Sequence, residues 1–373
     1  MVAVQETCAR IAIVSRQGLF GLFRRFLPRW LAWTLAACLL AANVFNIAAD
    51  LNMMAASMEL LLPLSRWGWI VLFAGGSLLL QVFLPYAAYA RILRWLAVSL
   101  LAYVGVLFFV DMDWSRALFA TFLPARLADP EYLLMIVAVL GTTLSPYLYV
   151  WQASEEVEER AACERDAVPG RSAALCGPGR PEAFPRMRVD VSVGMVASNV
   201  VFWCIVAAAG ATLHAQGLTA ITSAEEAATI LRPFLGPTAA LLFVLGIIGT
   251  GLLTIPVLAG SAAYAVGELK AWRCSLNDTW RTAPRFYAVL AGLMGAGAAL
   301  NAWEIPPVRM LIWSAILNAL LAPPLLLAIL WLANHRRIMG RYANRSWANV
   351  GGALAFFVMV LAAAVWAVLA FSR

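Results

Sequence analysis

Apolar residues in this chain run in stretches of roughly 20, the length a helix needs to cross about 30 Å of hydrocarbon. Polar and charged residues gather between the stretches. The pattern predicts full spans near 30–62, 67–85, 93–112, 131–153, 190–213, 234–266, 285–302, 306–332 and 348–371. Two of these are longer than a bilayer needs and are expected to tilt, break or protrude. Residues 1–14 (MVAVQETCARIAIV) are apolar but too short to cross alone, which predicts an N-terminal half-helix. Lipid offers no partner to open backbone, so the spans are read as helices. The alternating ten-residue segments of a membrane barrel are not seen in the sequence.

Composition narrows this further. The chain is 63% hydrophobic and 13% charged, where a soluble domain carries about 25% charge. The expected class is an all-α polytopic membrane protein, with residues 1–373 forming one integral membrane domain. The formal charge is +7. The basic residues sit in short loops, so they report orientation rather than nucleic-acid binding. Assigning alternate loops to alternate sides puts 21 of the 27 Lys and Arg on one face. That face is read as cytoplasmic, with the N-terminal loop inside and the C-terminus external. The lipid bilayer is the implied partner. The sequence sets no oligomeric state.

The segment 154–189 is the one long polar loop. It carries Glu155, Glu156, Glu158 and Glu159, then a Pro/Gly-rich stretch. It reads as a flexible cytoplasmic connector, with a regulatory metal site on the glutamates as the rival reading. The six cysteines form no CxxC pair and only two histidines are present. Reduced thiols and no structural zinc site are expected.

Polar groups at membrane depth are costly and mark functional candidates. Asn43, Asn46 and Asp50 are spaced i, i+3, i+7 in one span and share a helix face. That stripe reads as the lining of an ion or proton path, or as interhelical hydrogen bonds that lock packing. The span 131–153 holds Gly141, Thr142, Thr143, Ser145 and Pro146 near its middle. Proline removes a backbone donor, and an unwound stretch would free carbonyl oxygens to coordinate a cation. The rival is an ordinary proline kink. A similar interruption is expected in 234–266 around Gly249, Gly251 and Pro256, and Asn318, Pro323 and Pro324 mark 306–332. Several discontinuous helices favour a transporter over a rigid scaffold. No GxSxG, HExxH or Walker A pattern occurs, so neither an enzyme nor a resident cofactor is expected.

The residues also carry a resemblance. LGTTLSPYLYVWQASEEVEE (140–159) resembles the broken sixth helix of NRAMP-family divalent metal transporters. ANVFNIAADLNMMAA (42–56) resembles that family's third helix, and LGIIGTGLLTIPVLAGSAAYAVGE (245–268) its eighth. RIMGRYANRSWANVGG (337–352) is similar to the entry to its eleventh. The similarity runs essentially end to end and is nearest a divergent bacterial branch, which implies a bacterial inner (plasma) membrane. It implies a leucine-transporter-type bundle of two inverted repeats that moves divalent metal ions by alternating access, often with protons.

Carried over residue by residue, the family's Met-Pro-His-Asn sequence becomes Ser145, Pro146, Tyr147 and Leu148. The resemblance thus implies metal contacts at Thr142, Ser145 and Tyr147, with Asp50, Asn46 and Asn43 on the ion or proton path. A hydroxyl in place of a thioether favours harder ions such as Mg²⁺ or Mn²⁺. Tyr147 replaces a proton-handling histidine, and Met53 stands where a glutamate is expected. MVAVQETCARI resembles the latter part of the family's second helix, so an N-terminally truncated bundle is expected, without the first helix and its metal-binding turn.

Three functional readings follow. The first is transport of divalent cations of the Mn, Fe or Mg class, with the ion as substrate. The second is same-fold transport of an organic substrate, since function lives in sites rather than folds. The third is a non-transporting, degenerate paralogue.

Overall fold

A computed structural model describes residues 1–84, 95, 98–109, 112–123, 129–165, 183–212, 224–228, 236–276 and 278–371. Among these residues the regular structure is entirely helical. The half-helix α1 spans Val2–Ser15, and the short α2 spans Leu19–Phe26. The long helices are α3 (Arg29–Met58) and α4 (Arg66–Phe83). Three short ones follow: a 3₁₀ turn (Val98–Leu101) leading into α5 (Ala102–Val106), then α6 (Trp114–Phe122). After them come α7 (Pro130–Thr143), α8 (Pro146–Arg165), α9 (Ala183–Thr212) and the short α10 (Ala224–Ala228). The chain closes with α11 (Ala239–Lys270), α12 (Pro284–Leu300), α13 (Pro307–Asn334), α14 (Arg336–Met339) and α15 (Ser346–Phe371).

Eight of the expected spans appear as helices long and apolar enough to cross a bilayer, with α7 and α8 together forming one of them. The ninth, 93–112, lies partly outside the described residues. The centre of the bundle is built by α3, which packs on α11, α12 and α13. On the α13 side, α7 and α15 close the layer, while α8 packs on α1 and α11. α13 is the most enclosed span, whereas α9 and α15 leave most of their surface outside the bundle. Exposed Val189, Val193, Val196 and Val200 on α9 fit hydrocarbon contact.

Three expectations need correcting. The expected interruption in 234–266 is not there. α11 is one continuous helix of 32 residues with Pro256 inside it. Its glycines serve close packing instead: a Cβ at Gly251 would overlap Met54 of α3, and one at Gly260 would meet a Trp151 ring carbon at 2.6 Å. α13 likewise runs unbroken through Pro323 and Pro324, held between α3, α7 and α15.

The flexible-loop reading of 154–189 also changes. Residues 154–165 continue α8 and 183–189 begin α9, leaving 166–182 outside the described residues. The acidic run stays helical because it is anchored. Glu156 pairs with Arg160 one turn on (3.3 Å), and Glu158 accepts from the Tyr264 hydroxyl and the Leu276 amide (2.8 Å).

The thiols are mixed. Cys8, Cys38, Cys204 and Cys274 are free, and Cys163 is disulfide-bonded.

Candidate functional site

The break comes where the sequence places it. α7 ends at Thr143, Leu144 leaves the helical region (φ −105°, ψ 52°), and α8 starts at Pro146. Proline has no amide hydrogen, so the ladder opens there. The Ser145 hydroxyl, almost fully buried, turns back on the open end. It lies 2.7 Å from the Thr142 carbonyl and 3.1 Å from that of Gly141. Having one proton, it donates to one of them at a time. Thr142 and Thr143 spend their hydroxyl protons on Ala138 and Val139, each one turn back. Tyr147 sits where the two largest apolar clusters meet.

Gly141 holds this region against α13. A Cβ there would overlap the Ala315 carbonyl and crowd Ala319. Between those two positions in sequence lies Asn318, which exchanges amide hydrogen bonds with Asn46 of α3 (3.3 and 3.1 Å). Asn43 points elsewhere. It donates to the Leu258 carbonyl (2.8 Å) and the Ser261 hydroxyl (2.9 Å) on α11. The stripe on α3 therefore fans out, because positions three apart differ by about 60° around a helix. Asn43 reaches α11 and Asn46 reaches α13.

Asp50 lies two turns past Asn43 on α3. One of its carboxylate oxygens is buried with no hydrogen-bond partner among the described residues. An orphaned carboxylate oxygen in a membrane interior carries a cost that a proton or a cation removes. Of the expected residues, Thr142, Ser145 and Tyr147 gather at the break, while Asn46 and Asp50 lie on α3, which packs on α13 beside α7. Asn43 belongs to the packing of α3 on α11.

Sequence reasoning noted Asn318 but gave it no part in the site. Its partner on α3 becomes visible only once α13 is folded against that helix. The part played by two further carboxylates at the Arg-rich end was missed. Glu268 of α11 accepts from the Ser154 hydroxyl (3.0 Å) and from the Gly21 amide (2.9 Å), so it fastens α2 to α8 and α11. Glu158 ties α8 to α11 and the following loop. Glu268 is a single acid near the end of a long helix that no local motif flags, and Glu158 was read only as part of the acidic run, not as a tie between helices. Among the described residues no three His, Cys, Asp or Glu side chains converge on a metal position. A cation at the break would thus rely on hydroxyl, amide and carbonyl oxygens beside a single carboxylate.

Comparison with known proteins decides the family. The sequence matches the profile described as "Natural resistance-associated macrophage protein-like" over residues 1–369. The chain belongs to the Nramp family.

Among its relatives, a divalent metal cation transporter MntH of Pectobacterium carotovorum is 23% identical over 369 residues, 96% of this chain and 81% of that protein. One from Caldanaerobacter subterraneus is 24% identical over 266 residues, 71% of this chain and 58% of that protein. Against that relative and two others, the chain spans only 58%, 50% and 54% of their length. The manganese transporter of Eremococcus coleocola superposes with a TM-score of 0.74 at 13% identity, covering 97% of this chain and 76% of that one. The fold is therefore the leucine-transporter-type bundle that Nramp proteins share, as the resemblance implied.

Proposed function

We propose that this Nramp-family chain carries divalent metal cations across a bilayer by alternating access, taking the ion at the interrupted span beside α3. The observation that carries the reading is the break at Leu144–Ser145, with an incompletely bonded carboxylate, Asp50, on α3, the helix that packs on the same α13 as α7 does. Among the described long helices, this span alone is interrupted at mid-depth. Family membership and relatives named as divalent metal and manganese transporters support the same reading.

In this proposal Thr142, Ser145 and Tyr147 offer oxygen donors from the break. Asp50 supplies the charge, and the Asn46–Asn318 pair holds α3 to α13. An all-oxygen set suits hard ions, so Mn²⁺ and Mg²⁺ should compete more evenly than at a thioether site. The Arg-rich side faces the cytoplasm of a bacterial inner membrane, and the metal is cargo rather than cofactor.

The test is uptake of Mn²⁺ into proteoliposomes holding the purified chain, with Fe²⁺, Mg²⁺ and amino acids as competitors. Saturable uptake that metals inhibit and amino acids ignore supports the proposal. No flux of any of the three metals, or competition by amino acids alone, sinks it.

A further inference from the structure

Six cations at the Arg-rich end have no acidic partner among the described residues. Arg24 and Arg25 end α2, Arg29 opens α3, Lys270 ends α11, and Arg281 and Arg285 flank the start of α12. Among the described residues none of them forms an ion pair. The nearby acids are already engaged. Asp278 holds Arg273 (3.0 Å), while Glu268 and Glu158 accept hydrogen bonds within the bundle.

Three of the cations lie over tryptophan rings. Lys270 lies 5.1 Å over Trp33, Arg285 lies 5.6 Å over Trp272, and Arg281 lies 5.2 Å over Trp280. Trp272 shares a recess of about 410 Å³ with Arg24 and Arg25. Arg29 lies one turn before Trp33 on α3, beside Trp30, which is 69% exposed. Elements distant in sequence thus build one patch of fixed positive charge edged with tryptophan. Tryptophan beside Arg and Lys is the signature of the headgroup level of a bilayer, and fixed cations there attract anionic lipid.

We propose that this patch, formed by α2, the start of α3 and the 270–285 segment, binds the headgroups of anionic phospholipids. The same helix α2 is pinned at its other end by the Glu268 carboxylate on the Gly21 amide. A lipid held by Arg24 and Arg25 therefore pulls on the element that Glu268 ties to α8 and α11. The proposal is separate from the transport reading and stands or falls on lipid binding alone.

The experiment is native mass spectrometry of the full chain released from nanodiscs of mixed phosphatidylglycerol and phosphatidylcholine. The native chain should retain phosphatidylglycerol over phosphatidylcholine by roughly fivefold or more, the effect of one engaged basic residue. The preference should vanish in Arg24→Gln/Arg25→Gln and in Lys270→Gln/Arg285→Gln, and persist in Arg336→Gln/Arg337→Gln, which removes equal charge elsewhere on the same side. Equal retention of both lipids by the native chain, or equal loss in all three variants, overturns the proposal. A photoactivatable phosphatidylglycerol provides a variant-free check. Adducts within 24–33 and 270–285 support the patch, and adducts confined elsewhere overturn it.

Discussion

Asn46 and Asn318 face each other across the α3–α13 interface as a reciprocal amide pair, each donating to the other's carbonyl oxygen (3.3 and 3.1 Å). Such a pair suits a membrane interior because each amide answers the need of the other. Asn46 also donates to the Ala42 carbonyl one turn back (2.9 Å), which fixes its rotamer.

Cutting both sides should cost less than the two single cuts added together. Asn318→Ala leaves the Asn46 carbonyl oxygen unmatched, a penalty of about 1–3 kcal/mol for a buried polar group. The double change Asn46→Ala/Asn318→Ala should be less damaging than the sum of the single changes, with a coupling of about 0.5–2 kcal/mol. Unfolding in detergent by denaturant measures it. Additive singles would show that the pair contributes no coupling.

Ser145→Ala removes the hydroxyl that closes the open end of α7. The Thr142 carbonyl loses its 2.7 Å donor, and stability should fall by about 1–2 kcal/mol. If Ser145 also meets the ion, uptake should fall further than stability explains, through a higher KM for Mn²⁺. Ser145→Thr keeps the hydroxyl and should recover most of both. An alanine variant with native thermal stability and native uptake would remove Ser145 from both roles.

Glu268 and Gly18 fit as a lock. A Cβ on Gly18 would overlap the Glu268 carboxylate, the group that accepts the Gly21 amide. Gly18→Ala and Glu268→Ala should therefore share a phenotype, in which α2 loosens and amides 19–26 exchange faster with deuterium by roughly tenfold, for about 1.4 kcal/mol lost. Native exchange rates in both variants would deny the lock.

Cys274, in the loop after α11, has a thiol pushed up to about 12, chiefly by burial and then by the Glu268, Glu158 and Asp278 carboxylates. The ordinary thiol value is 9.0. The native fold favours the neutral thiol, so this contribution is full below pH 9 and is lost as pH rises toward 12. Thiolate is the reactive form. Iodoacetamide should thus leave Cys274 unmodified at pH 8 in the native protein and label it after unfolding in SDS. Rapid native labelling at Cys274, read by peptide mass spectrometry, would contradict this.

Much of this molecule can be read from the order of its residues, and the limits have physical causes. Runs of 20 apolar residues declare helices because lipid permits little else, and Pro146 declares a break because its neighbours are small and polar. The same logic failed at Pro256 and at Pro323–Pro324. Whether proline breaks a helix depends on what surrounds it, and α11 and α13 are clamped by neighbours that the sequence does not place beside them. The α3 stripe shows the same limit. Its shared face was legible, yet Asn43 turned to Leu258 and Ser261 while Asn46 turned to Asn318, because the partners were fixed by packing. Glu268 was invisible for a related reason, since its partners Gly21 and Ser154 lie 247 and 114 residues away.

The two halves of the interrupted span belong to different neighbours. α7 is bedded on α13 and α15, whereas α8 is bedded on α1 and α11. If one group tilts against the other, the displacement runs down to residues 144 and 145, where the backbone ladder is already open and bending strains no further bond. The Ser145 hydroxyl, with two carbonyls in reach, can switch between them as the angle changes, so the joint flexes without leaving a carbonyl stranded in oil.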